Sequence, residues 1–243
     1  MKKTLIIACF LSAVAFLAAC GEQSAVETTD VATVKTTAFI ETEAPPVEFS
    51  PLAKEHFLTP LEDFSWEREY APEYVMLHFT SAAVLSKEDP YNLYFVRQIF
   101  VDGGASIHYL IDRDGKIYCY IPETRAAWHA GKGEFASDER LTNAMNKYSI
   151  GIEMLAIGSA RDMAQYFTAK EYAKIDKSLI GYTDAQYESL SALLWDICER
   201  NGIAFDREHI IGHEEYKPQK SDPGELFDWS RIFNTASDLH FTH

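Results

Sequence analysis

Short apolar runs of strand length, set between longer segments with helical periodicity, constrain this chain more than any other feature. The runs are YVMLH (74–78), SIHYLID (106–112), KIYCYIP (116–122), SIGIEML (149–155) and HIIGH (209–213). Alternation of this kind predicts an α/β fold in which helices flank a central sheet. The turn tetrapeptide DRDG joins the second and third runs, which predicts a β-hairpin and makes the sheet mixed rather than all parallel. DPYNLYFVRQIFVD and TDAQYESLSALLWDICERNGI carry the helical signal. In the latter, Thr183 stands at the N-cap with Gln186 in the reciprocal capping position. Tyr187, Leu190, Leu194, Ile197 and Cys198 fall on one face, and Asn201-Gly202 ends the helix. Residues 157–182 are too long for a simple connection and read as a loop with one short helix beside the cleft.

The first twenty residues, MKKTLIIACFLSAVAFLAAC, have a targeting pattern. Lys2 and Lys3 form a positive start, and Thr4 to Phe16 form an apolar stretch too short to span a bilayer comfortably. Leu17-Ala18-Ala19-Cys20 resembles the lipobox of bacterial lipoproteins, which implies lipidation at Cys20 after removal of residues 1–19. Ordinary secretion with cleavage near Ala18 is the alternative. Acyl chains on Cys20 would anchor the protein without a spanning helix. By the same resemblance the protein is expected in the cell envelope, on the outer membrane facing the periplasm if the source is Gram-negative. Residues 20–52 are rich in Thr, Glu, Ala and Pro, lack a sustained apolar period and read as a disordered tether. The folded domain is expected over 53–243, about 190 residues, enough for one core.

Once Cys9 leaves with the targeting segment and Cys20 is acylated, Cys119 and Cys198 remain, and neither has a CxxC neighbour. That excludes a cysteine zinc site and leaves either a disulfide or two buried free thiols. The chain carries 22 Lys plus Arg against 37 Asp plus Glu, a net charge of −15. Such a surface repels phosphates, so no nucleic-acid partner is expected.

The densest chemistry lies in IIGHEEYKPQKSDPGELFDW, residues 210–229. His213-Glu214 begins like an HExxH zinc helix, but Lys217 stands where the second His is required, and Pro218 follows. Asp222 is held between Ser221 and Pro223-Gly224, a stiff setting that favours an extended backbone at the Asp. Residues two apart on such a stretch share a side, so Lys220 and Asp222 present a cation and a carboxylate together. A third group is expected from another strand end, and His78 closes YVMLH on the face of Tyr74 and Met76. Two imidazoles, one carboxylate and an open fourth position make a catalytic zinc site. Glu153 is an acid inside an apolar strand, on the Gly151 and Leu155 face, where desolvation raises its pKa toward the range of a general base.

MLHFTS, SIHYLIDRDGKIY, RAAWHAGKG, NKYSIGIEML, TDAQYESLSALLWDI and IIGHEEYKPQKSDPGELFDW, in that order, resemble the zinc-dependent N-acetylmuramoyl-L-alanine amidases, whose fold is shared with peptidoglycan recognition proteins. The resemblance covers roughly residues 70–232. It implies His78, His213 and Asp222 as zinc ligands, Glu153 as the catalytic acid-base and Lys220 as the transition-state cation. It also implies that Tyr109 and His129 line the cleft as substrate-binding positions, though His129 either binds substrate or hydrogen-bonds in the core. Strand alternation turns His108 the other way from Tyr109, and it reads as structural. The implied reaction is hydrolysis of the amide between muramic acid, ordinary or 1,6-anhydro, and L-alanine of peptidoglycan stem peptides, by a monomer. A relative that binds muropeptide without cutting it is the rival class. Such relatives commonly lose a zinc ligand, and this chain keeps all three.

Overall fold

The computed structural model describes residues 48–58, 60–135 and 138–233. The elements run β1 (Lys54–Glu55), α1 (Leu61–Phe64), β2 (Ser65–Glu67), β3 (Tyr74–Thr80), α2 (Leu93–Gly103), β4 (Tyr109–Ile111), β5 (Ile117–Cys119) and β6 (Arg125–Ala127). They continue as α3 (Met145–Tyr148), β7 (Ser149–Leu155), α4 (Ala169–Tyr172), α5 (Asp184–Asn201), β8 (Ile210–Gly212), α6 (His213–Tyr216) and α7 (Ser230–Phe233). Six strands form one sheet in the order β1-β5-β4-β7-β3-β8, and β2 pairs with β6 in a separate ribbon. The β4–β5 pair is antiparallel and the other neighbours in the sheet are parallel, so the sheet is mixed, as the hairpin signal required. In that hairpin Asp112 Oδ1 accepts the amides of Asp114 and Lys116 at 3.1 and 2.8 Å, and Gly115 supplies φ +80°.

Alternation along the strands divides the interior in two. Val75, Leu77, Tyr109, Ile111, Ile150, Ile152 and Met154 pack against Leu190, Leu193, Leu194 and Ile197 of α5. On the other side, Leu110, Tyr118 and Tyr120 meet Val96 and Phe100 of α2, while Tyr74 and Met76 meet Leu141, Met145 and Tyr216. Helix α5 begins where the sequence placed it: the Thr183 side chain accepts the Gln186 amide and the Gln186 side chain accepts the Thr183 amide. Gln186 also donates to the carbonyls of Ile111 and Leu155 at 3.3 and 3.0 Å, tying the helix start to the ends of two strands.

The folded body starts earlier than the expected boundary at residue 53. Ser50 is fully buried and its amide donates to the Tyr109 hydroxyl at 2.7 Å. Phe49 packs on the α5 side of the core, and the Glu123 amide donates to the Glu48 carbonyl. Residues 48–52 therefore belong to the domain rather than to a tether. The targeting segment, Cys20 and residues up to 47 lie outside the described residues. Cys119 and Cys198 are two buried free thiols.

Residues 157–182 contain α4 and a 3-10 turn at Lys177–Leu179, one short element more than expected. A bridge between Ile157 and Ile180 closes the segment at its base. Arg113 reaches across to the carbonyls of Leu155, Ser178 and Gly181, and the Tyr172 hydroxyl donates to the Gly158 carbonyl. Ile157 and Met163 form a small apolar cluster with Ala83, flanked by Phe79 and Phe167. The segment is a closed loop with its own packing.

Glu123 is the polar anchor of the α5 face. It accepts from Arg200 at 2.7 and 2.8 Å, from Asn201 at 3.0 Å and from the Tyr109 hydroxyl. Its side chain is 4% exposed. Replacing it leaves the Tyr109 hydroxyl without an acceptor and Arg200 with Asp196 alone, so Glu123→Ala should cost roughly 3–5 kcal/mol in urea unfolding. Asp196→Ala removes a partly exposed partner of the same guanidinium and should cost about 1 kcal/mol or less.

Candidate metal centre and cleft

Parallel pairing of β3 with β7 sets His78 directly opposite Glu153. Strand β3 runs two residues past His78 to Thr80, so the imidazole projects from the body of the strand rather than from its end. His213 opens the single turn α6 directly after β8, and that turn ends before Pro218. Asp222 comes from the following loop, held by two contacts: the Glu214 amide donates to the Asp222 carbonyl at 3.1 Å, and the Tyr182 hydroxyl donates to the Pro223 carbonyl at 2.5 Å. The Asp222–Pro223 peptide is cis.

These elements bring three side chains to one point. His78 Nδ1 lies 2.7 Å and His213 Nδ1 2.9 Å from Asp222 Oδ2, and the two ring nitrogens are 3.1 Å apart. Among the described residues this is the group of His, Cys, Asp and Glu that could hold a metal ion. The chemistry of the donor set fits a cation. His213 Nε2 lies 3.0 Å from the Ala130 carbonyl, which can only accept, so the Nε2 proton is spent there and Nδ1 of the neutral ring offers a lone pair. Burial pushes the His78 ring down to about 4 against the pull of Asp222, leaving it neutral at pH 7. Where each ring presents a lone pair at Nδ1, the nitrogens converging on the carboxylate oxygen repel it unless a cation lies between them. Tetrahedral zinc with bonds of about 2.0 Å places its ligand atoms about 3.3 Å apart, slightly wider than the spacing found.

A cleft of about 630 Å³ opens over this point, lined by His213, Asp222, Glu153, Lys220 and His129. Burial, reinforced by the Asp222 carboxylate and opposed by the Lys220 ammonium, pushes the Glu153 carboxyl well above its ordinary value. Glu153 Oε2 is buried with no hydrogen-bond partner. Such a carboxyl is poised to exchange a proton with whatever enters the cleft. Lys220 is exposed and reaches the cleft from the loop that carries Asp222, the shared side expected of residues two apart. Asp162, Met163, Gln165 and Tyr166 from the closed loop also line the cleft, as do Val84 and Leu85.

Two expectations need correction. Tyr109 does not line the cleft: it is fully buried on the α5 side, with its hydroxyl committed to Ser50 and Glu123. His129 does line it, but both ring nitrogens are engaged within the protein, Nδ1 with His78 at 3.0 Å and Nε2 with Ser149 at 3.1 Å. No ring nitrogen is left for a substrate. His108, buried beneath His129, accepts the Gly151 amide at Nδ1, and its Nε2 lies 3.0 Å from both the Arg125 carbonyl and the Arg68 guanidinium. The sequence reading missed Arg68, which donates to the carbonyls of Glu123, Arg125, Lys147 and Ser149 behind the cleft floor. It also missed Tyr182, Asn146 and Ser149. Only their long-range hydrogen bonds distinguish these residues.

Comparison with known proteins places this architecture in a family. The N-acetylmuramoyl-L-alanine amidase family, Amidase_2, matches residues 68–225, and the chain belongs to it. The 1,6-anhydro-N-acetylmuramyl-L-alanine amidase AmpD of Enterobacter cloacae is 35% identical over 137 residues, which is 55% of this chain and 59% of that protein. N-acetylmuramoyl-L-alanine amidase AmiD of Escherichia coli is 33% identical over 140 residues, 54% of this chain and 44% of that protein. The chain thus spans less than two thirds of the length of either relative. A crystal structure of a selenomethionine derivative of AmpD matches with a TM-score of 0.52 at 27% identity, covering 76% of this chain and 94% of that one.

The histidine under the cleft generates a pH prediction. Burial, aided by the Arg68 charge, pushes His108 down to about 3, whereas an unfolded histidine titrates near 6.5. Its stabilising contribution is complete above pH 6.5 and is lost as pH falls toward 3, because only the unfolded chain takes up the proton in that window. Urea midpoints of the metal-free protein should fall between pH 7 and 5. His108→Asn should remove roughly 1.4 kcal/mol per pH unit of that slope.

Proposed function

We propose that the chain is a zinc-dependent amidase that hydrolyses the bond between the muramic acid lactyl group and L-alanine in peptidoglycan stem peptides. The observation that carries this reading is the convergence of His78, His213 and Asp222 beside a desolvated Glu153 and a cationic Lys220. Family membership supports it, as do relatives named as amidases of muramyl-L-alanine, in the 1,6-anhydro form for AmpD. Zinc held by the three ligands supplies Lewis-acid chemistry, acidifying a water and polarising a carbonyl.

The remaining work falls to side chains of this chain. Glu153 takes the proton of the attacking water and returns it to the departing alanine amine. Lys220 faces the oxygen on which negative charge develops; removing such a donor costs about 10² to 10³ in rate. Among the described residues, the other carboxyls lining the cleft are already engaged, Asp222 with His78 and His213, Asp162 with the Ser159 amide and Asp102 with Gln98, which argues against the pair of carboxyls a glycosidase uses to flank a sugar bond.

Digestion of purified wall fragments followed by mass spectrometry tests the reading. Free stem peptides beginning with L-alanine are expected; shortened peptides still joined to muramic acid would mean a peptidase instead. Glu153→Gln should keep one zinc per chain and lose roughly 10² to 10⁴ in rate. His78→Ala should lose the zinc.

We further propose that the protein is lipid-anchored in the cell envelope through Cys20, on the support of the Lys2-Lys3 start, the apolar stretch and the Leu-Ala-Ala-Cys ending. Cys20→Ser should move the protein from the membrane pellet to the soluble envelope fraction, and continued pelleting would refute this anchor.

A further inference from the structure

We propose that His129, seated by Ser149, is a positioning residue that holds His78 in the one tautomer able to ligate a metal through Nδ1. The inference rests on reading His78, His213 and Asp222 as the ligand set. It follows from proton counting along a chain of hydrogen bonds. Ser149 is fully buried and its hydroxyl donates to the Met145 carbonyl at 2.7 Å. A hydroxyl has one proton, so toward His129 Nε2, 3.1 Å away, Ser149 Oγ can only accept. His129 Nε2 therefore carries the ring proton, and Nδ1 of the neutral ring is an acceptor. That nitrogen lies 3.0 Å from His78 Nε2, which must then be the protonated nitrogen of His78. The lone pair of His78 is left on Nδ1, the atom aimed at Asp222 and His213.

The surroundings lock this arrangement in place. The amides of His129 and Ala130 both donate to Asn146 Oδ1, at 3.1 and 2.7 Å, which fixes the backbone that carries the ring. The ring lies flush on β7 at Gly151: a Cβ there would stand 2.6 Å from His129 Cγ and 2.7 Å from Nδ1. A glycine inside a buried strand is otherwise unfavourable, and here the close approach of the imidazole requires it. His213 is set by a separate device, the Ala130 carbonyl one residue beyond His129. One short segment, His129-Ala130, thus orients both imidazole ligands. Partners of this kind typically contribute 10–100-fold to metal affinity.

Two measurements test this. In metal-free protein labelled with ¹⁵N-histidine, long-range proton–nitrogen correlations should show His78 and His129 each protonated at Nε2. A His78 protonated at Nδ1 would overturn the inference, and this readout needs no variant. Second, zinc affinity by chelator competition should fall about 10–100-fold in His129→Phe, which keeps an aromatic ring over Gly151 but removes the acceptor. His129→Asn, whose side-chain carbonyl can accept from His78, should recover part of the loss. Wild-type affinity in His129→Phe would overturn the inference. If the unsubstituted protein bound no zinc, the ligand reading would fail while the tautomer spectrum still decided the His129 question.

Discussion

The register of β3 against β7 is the constraint on which the rest of the structure depends. It places His78 opposite Glu153, so that one metal-ligand candidate and the proposed acid-base carboxyl leave the sheet on the same face. A slip of one residue would turn either side chain into the apolar layer under α5. The register is held on that far side by Val75, Leu77, Ile150, Ile152 and Met154, which form a continuous buried layer against the helix. On the near side it is held by His129, whose ring fits only over Gly151. The residues that do chemistry are thus aligned by residues that do none.

Asp222 lies outside the sheet and needs a different support. Its loop is gripped by Glu214 and by Tyr182, and Tyr182 is the last residue of the closed loop 157–182. The loop also packs behind the same stretch: a Cβ at Gly224 would meet Asp162 Oδ2 at 2.7 Å, and one at Gly158 would meet the Asp162 Cβ at the same distance. The cleft wall formed by Asp162, Met163 and Tyr166 and the loop that presents Asp222 are therefore one packed unit. Changes in this segment act on substrate space and on ligand placement together.

Much of this was legible in the sequence. Strand β7 coincides with SIGIEML, α5 begins at its capping box, and the site motifs gave the ligand set that the fold brings together. Those signals are local: periodicity, caps and stiff turns. Tyr109 and His108 show where local signals stop. Strand alternation says that the two face opposite ways, but not which face is which; that depends on α5 covering one side. The inclusion of residues 48–52 in the domain and the closure of residues 157–182 rest on bonds from Tyr109 and Arg113 to distant backbone atoms, and such bonds leave no periodic trace. Arg68 sits in WEREY, a stretch that reads as solvated until four carbonyls are found around its guanidinium.

The two faces of the sheet carry opposite energetic roles. The cleft face holds features that oppose folding: a buried Glu153 oxygen without a partner, at about 1–3 kcal/mol for such a group, and acceptors converging at His78, His213 and Asp222. On the proposed function neither can be relieved locally, since a donor to Glu153 would occupy the site of proton transfer and a proton on either Nδ1 would block ligation. The compensation comes from elsewhere. The α5 face buries an apolar layer and closes its polar groups fully, with Glu123 satisfied by Arg200, Asn201 and Tyr109. Cation binding would then act on the one face that is strained, turning three repelling acceptors into ligands, so most of the stability gained on metal loading should originate at the cleft.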